Sequence, residues 1–183
     1  MSKPSYFNTM PTIEYQGKTA KNIISRVVLA FNQYNQPLGF YDYVIEDDMR
    51  PDQIAYFYYD DANLAWLVML ANNMVNPYFD WPLTTDQFNR NIIKKYGSIG
   101  QAKSTIIHYR HVHLGGIISP DTYALGVAEG TLFGDLQITA SDYLPVYLYN
   151  DELEKNEAKR SIKLIDVKYV ETIKSEIKKA MYS

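Results

Sequence analysis

The chain has 183 residues, 46% of them hydrophobic, a formal charge of −3 and an isoelectric point of about 5.6. That apolar content is enough to build a core and excludes disorder along most of the length, and the scattered Lys and Arg form no basic face, so nucleic acid is not an expected partner. The absence of cysteine excludes a disulfide framework and any thiolate metal site, and it fits assembly in a reducing cytoplasm.

Residues 1–17 read as an extended arm, with Pro4, Pro11 and Gly17 as helix breakers and Ile13 and Tyr15 in alternation. The stretch MSKPSYFNTMPTIEY has no signal-peptide core. From Thr19 onward, Ile23, Ile24, Val27, Val28 and Phe31 share one helical face, although the run VVLAF fits a strand equally. Asn35, Pro37 and Gly39 mark a loop. Tyr41, Tyr43 and Ile45 then alternate as a short strand.

Arg50-Pro51 opens a helix, with proline at the first position where its missing N–H costs nothing. Asp47, Asp48 and Asp52 suit the positive end of that helix. Asp60 or Asp61 caps a second helix from Ala62 to about Asn72, apolar on nearly every side and therefore buried; Trp66 and Leu67 belong to its core. Its run Leu64 to Ala71 is the longest apolar stretch and is too short to span a bilayer, so the expectation is a soluble protein. Asn76-Pro77 is a turn. Thr84 and Gln87 form a capping box with Leu83 and Phe88 as staple, and the helix they start should end at Gly97.

Beyond residue 98, Thr105 to Leu114 alternates like a strand and Gly115-Gly116 turns. The segment 119–145, with Pro120, Gly126, Gly130, Gly134 and Pro145, reads as loop with short strands. Arg160 to Leu164 alternates, and Asp166 caps a helix to about Tyr182, with Val167, Val170, Ile173, Ile177 and Met181 along one face. The expected division is thus 1–38 (arm with helix), 39–96 (core plus following helix), 97–150 (loop-rich) and 151–183 (strand and amphipathic helix).

Little here suits catalysis. Residues 41–82 contain no His, Cys, Lys or Ser. His108, His111 and His113 are the only histidines; on a strand His111 and His113 point the same way, spacing adequate for two metal ligands but lacking a third. Asp47-Asp48 and Asp60-Asp61 precede helices and act as caps rather than as acid–base pairs. No GxSxG, phosphate loop or dinucleotide fingerprint is present. No catalytic residue, metal or cofactor is expected. The amphipathic C-terminal helix mixes Glu and Lys on its polar face, which favours packing on protein over a membrane surface. The seventeen tyrosines, by contrast, pair large rings with polar tips and suit half-buried surfaces and interfaces.

The succession YDYVI, RPDQIAYFYY, NLAWLVMLANN resembles a LysM module, a small βααβ unit. Together with GKTAKNIISRV, the continuation through NPYFDWPLT, the helix ending KKYG and the tail NEAKRSIKLIDVKYVETIKSEIKKAM, it is similar to the baseplate wedge protein of contractile-tailed phages that ties neighbouring wedges together. The resemblance implies an α+β protein with a LysM-like core, an N-terminal arm, a loop-rich middle and a C-terminal strand–helix. It further implies a virion subunit that binds other wedge proteins in a hetero-oligomeric assembly, formed in the host cytoplasm, with no catalytic residues. The candidate contact residues are then Tyr56, Tyr59, Tyr78 and Phe79 of the aromatic block, and Arg160, Ile162, Leu164, Tyr169, Ile173 and Ile177 of the tail. Where glycan-binding LysM modules usually carry a Gly-Asp-Thr-type loop, this chain has Asp47-Asp48-Met49-Arg50. Cell-wall glycan binding is the alternative reading, and a metal-assisted hydrolase using the histidines a further one.

Overall fold

The computed structural model describes residues 10–22, 39–129 and 142–182, which form an α+β fold of helices and short antiparallel sheets. In chain order the elements are β1 (Thr12–Tyr15), β2 (Lys18–Lys21), β3 (Phe40–Val44), α1 (Pro51–Tyr59), a 3-10 turn (Ala62–Leu64), α2 (Ala65–Ala71), α3 (Pro77–Asp80), α4 (Thr85–Tyr96) and α5 (Ile99–Ser104). There follow β4 (Ile106–His111), β5 (Ile117–Ile118), α6 (Pro120–Glu129), β6 (Tyr143–Tyr147), α7 (Leu148–Ala158), β7 (Ser161–Ile165), a 3-10 turn (Val167–Tyr169) and α8 (Val170–Tyr182).

β1 and β2 form a hairpin whose two turn residues, Gln16 and Gly17, have φ of 50° and 74°. A two-residue turn of that hand matches the twist of the flanking strands and sends the chain straight back. Thr19, expected to start a helix, therefore lies in a strand. The remainder of that expected helix, Ile23 to Phe31, falls outside the described residues.

The chain divides into two compact units, 1–82 with 159–183, and 83–158. This differs from the four segments expected, because the chain leaves the first unit after Pro82 and re-enters it at Lys159. In the first unit β3 pairs antiparallel with β7, Tyr41 opposite Leu164 and Tyr43 opposite Ile162. The strand–helix–helix–strand order is thus closed by a strand from far along the chain, not from within 39–96. The helix starts follow the sequence. Pro51 opens α1, the Arg50 N–H donates to Gln53 Oε1 at 2.9 Å, and Asp61 accepts from the Asn63 N–H at 3.1 Å to begin the turn into α2. Asp60, in the left-handed region (φ 54°), ends α1. Leu64, Leu67, Val68 and Ala71 are buried against Ile54, Ala55, Ile162, Leu164 and Ile165. Val170, Ile173 and Ile177 of α8 join that cluster. Full burial of each such side chain contributes ~1.5–3 kcal/mol, so this cluster dominates the unit's stability.

In the second unit the Thr84–Gln87 capping box forms as expected, with both bonds at 3.3 Å, and α4 stops at Gly97 (φ 83°). Leu83 packs on the core made by Phe88, Ile92 and Ala102. The segment 97–150 is more regular than the expected loop. α5 follows Ser98, whose Oγ accepts from the Gln101 N–H at 3.0 Å, and α6 follows Ser119, whose Oγ accepts from the Thr122 N–H at 3.0 Å. Pro120 stands at the first position of α6, where it favours the helix it was read as breaking. β6 accommodates Pro145 as an edge strand in the order β5–β4–β6. The expected strand 105–114 ends at His111, where Gly115 (φ 66°) donates back to the His111 carbonyl at 3.1 Å and turns the chain into β5. Gly130 and Gly134 lie outside the described residues.

Candidate protein interface

α1 buries Ile54 and Ala55 and half-buries Tyr58 and Tyr59, which turns Tyr56 and Phe57 outward. Their rings contact each other edge to face with centroids 5.9 Å apart. Tyr59, one turn further on, is drawn into the chain instead. Its hydroxyl donates to the Ile165 carbonyl and accepts from the Ile165 N–H, both at 3.0 Å. Burial pushes the Tyr59 hydroxyl well above the ordinary tyrosine range, the Ile165 hydrogen bond partly opposing it, and pushes Tyr58 up to about 12. Tyr59 is therefore an internal fastener and has little ring to offer a partner.

A second outward pair sits on α3. Tyr78 and Phe79 are 85% and 72% exposed, an unusual state for two adjacent large rings. The single turn that carries them is held at several points. Asn76 accepts from the Tyr78 N–H at 3.0 Å, and one oxygen of Asp80 accepts from the Val75 and Asn76 N–H groups, each at 2.8 Å. Lys159 donates to the Phe79 carbonyl at 2.5 Å, and the Trp81 indole donates to the Met49 carbonyl at 2.9 Å. Pinning the backbone this way removes ordering entropy that a partner would otherwise have to supply.

The tail candidates divide sharply. Ile162, Leu164, Ile173 and Ile177 are 2%, 0%, 3% and 4% exposed, so they are core and present no surface to another chain. Their alternation and helical stripe reported burial, which sequence cannot assign to self or partner. Arg160 is also committed internally, with Nη1 on the Ile45 carbonyl at 3.3 Å and Nη2 on Asp47 at 2.9 Å. Tyr169 packs half-buried against the same core beneath the Lys168 ammonium, 5.1 Å from its ring centroid. Of the ten sequence candidates, Tyr56, Tyr78 and Phe79 keep large exposed rings. Phe57 (70% exposed) joins them; sequence does not single it out, because the outward face of α1 is only defined once the inward one is known.

The loop at the place of a glycan-binding segment is likewise engaged within the chain. Asp47 holds Arg160, the Met49 carbonyl holds Trp81, and Arg50 forks onto Asp52, with Nε at 3.0 Å from Oδ1. That hydrogen-bonded pair lowers the Asp52 carboxyl and raises the Arg50 guanidinium. The His111 and His113 rings lie edge to face with centroids 6.3 Å apart. His111 Nδ1 accepts from the His113 and Leu114 N–H groups, both at 3.1 Å, and His113 lies past the end of β4. Among the described residues no three His, Cys, Asp or Glu side chains are placed to hold a metal ion. No helix among them is long and apolar enough to cross a membrane.

A family model described as base plate wedge protein 53 matches residues 6–118. The chain belongs to that family. A relative, the baseplate wedge protein gp53 of Enterobacteria phage T4, is 25% identical over 103 residues, covering 51% of this chain and 53% of the relative. The chain thus aligns with about half of that relative's length. The matched segment holds β3, α1, α2 and α3 with all the exposed rings named above. β7 and α8, which complete the same hydrophobic core, lie outside it.

Proposed function

We propose that this chain is a structural subunit of a phage tail baseplate wedge, linking neighbouring wedge subunits through protein–protein contacts during assembly in the host cytoplasm. The observation that carries the reading is the pinned Tyr78–Phe79 turn, two large rings held out on a backbone fixed by hydrogen bonds at both ends. Family membership supplies the context, and the internal commitment of Arg160, Tyr59 and the Asp47–Arg50 loop leaves contact, not chemistry, as the use of the exposed groups. The core of the first unit, which the sequence likens to a LysM-like βααβ core, serves as a rigid spacer. Tyr56, Phe57, Tyr78 and Phe79 dock on other wedge proteins, where buried aromatic anchors contribute ~2 kcal/mol or more each.

The test is complementation of a phage lacking this chain. Wild-type chain should restore closed baseplates, seen by electron microscopy. The Tyr78→Ala/Phe79→Ala double variant should stay within about 0.5 kcal/mol of wild-type stability, as exposed substitutions do, yet fail to enter baseplates. Closed baseplates and infectious particles formed without the chain would refute the proposal.

A further inference from the structure

The strand edges of the β3–β7 sheet and of the β5–β4–β6 sheet are protected by different means, and among the described residues one is left open at defined groups. The Asp166 N–H donates to the Gly39 carbonyl at 3.0 Å and the Ile45 N–H to the Arg160 carbonyl at 2.9 Å, so the odd-numbered residues of β3 face β7. On the far edge of β7, the outward backbone of Lys163 is taken by Asn72, which accepts from its N–H and donates to its carbonyl, both at 2.8 Å. The outward backbone of Ile165 is taken in the same way by Tyr59. In the second unit β5 is two residues long, and β6 carries Pro145 at an outward position, where it has no N–H to offer. These are recognised devices against unwanted strand pairing.

Among the described residues, the outer edge of β3 has no such device at Asp42 and Val44. By the same alternation their N–H and C=O groups point away from β7, and no described residue bonds to them. Val44 is 67% exposed. On the helix side of this edge, Tyr41 stands half out of the core with its ring edge to face with Tyr58, centroids 6.0 Å apart. Asp42 and the nearby Glu46 are exposed carboxylates that form no ion pair among the described residues.

We infer that the outer edge of β3 accepts an extended segment of another baseplate protein, adding a strand to the β3–β7 sheet. Only an extended backbone repeats donor and acceptor groups at the spacing that Asp42 and Val44 present. The side chains set the segment's chemistry, an apolar residue over Tyr41 and Tyr58 and a basic residue facing Asp42 on the opposite side. This inference rests on the baseplate reading above for the identity of the donor.

Hydrogen–deuterium exchange of the purified chain and of intact particles tests it. The Asp42 and Val44 amides should exchange freely in the purified chain and become protected in particles, while those of Tyr41 and Tyr43 are slow in both. Val44→Pro, which removes an outward N–H and no ladder bond, should lower incorporation into baseplates on the order of tenfold. Val44→Thr, which keeps the N–H, should incorporate normally. Rapid exchange at Asp42 and Val44 within particles, or normal incorporation of Val44→Pro, overturns the inference. So does protection already present in the dilute purified chain, which would mean that its own residues cover the edge, or protection that grows with its concentration, which would mean a second copy does. If purified particles lack the chain altogether, the baseplate reading itself fails. A chain present with its edge still exchanging refutes the strand addition alone.

Discussion

Replacing Tyr59 by Phe removes one oxygen and leaves the ring, so it isolates the fastener between α1 and β7. That oxygen makes two hydrogen bonds of 3.0 Å to the backbone of Ile165, a residue 1% exposed. Each bond contributes ~0.5–1.5 kcal/mol net, and the loss is larger where the abandoned N–H and carbonyl cannot reach water. The expected cost is therefore ~2–4 kcal/mol, toward the upper part of what single substitutions usually do. Both tryptophans of the chain, Trp66 and Trp81, lie in the first unit, so their fluorescence follows the unfolding of that unit. With a urea slope of ~1–3 kcal/mol per molar, the midpoint should fall by ~1–2 M. Tyr56→Phe, the same chemical change on an exposed ring one helical turn away, should leave the midpoint where it is. A Tyr59→Phe midpoint equal to that of wild type would refute the view that side chains from the helices close the edge of β7.

The same tyrosines give a pH prediction. Tyr58 and Tyr59 have hydroxyls pushed above the ordinary value of 10.0 by burial, so the folded chain holds them neutral after the unfolded chain has begun to ionise. Their contribution should be complete below about pH 10 and lost as pH rises toward about 12, read as a falling thermal midpoint that is shallower in Tyr59→Phe. In the second unit, Asn156 is 5% exposed and pairs with both backbone groups of Leu83, at 2.8 and 3.0 Å. Asn156→Ala should cost ~2–3 kcal/mol and appear as faster amide exchange in α4 and α7; unchanged exchange there would show that water replaces the amide.

The features legible in the sequence are those set by neighbours a few residues apart. Pro51, Asp61, the Thr84–Gln87 box, Gly97 and Asp166 act on their own turn of backbone, and each operates where it was read. The two helices missed between 97 and 130 carried the same kind of signal. Ser98 stands three residues before Gln101, and Ser119 immediately before Pro120, but glycine and proline in the same stretch carry an equally local signal for a break. α7 was harder to see, because only Leu148, Tyr149 and Leu153 meet the core and the rest of its length is polar.

The candidate interface was legible only as a supply of rings. Sequence alone determined that residues 41–82 form a strand and helices dense in tyrosine, with Pro51 and Asp61 at their starts. Tertiary structure decided which rings remain for a partner. Tyr56 and Tyr59 lie on one short helix and differ little as residues, yet the return of β7 from residues 161–165 gives Tyr59 a backbone to bind and leaves Tyr56 in water. That pairing spans more of the chain than any local rule can reach, because a strand's partner is chosen by which apolar faces close together, not by sequence distance.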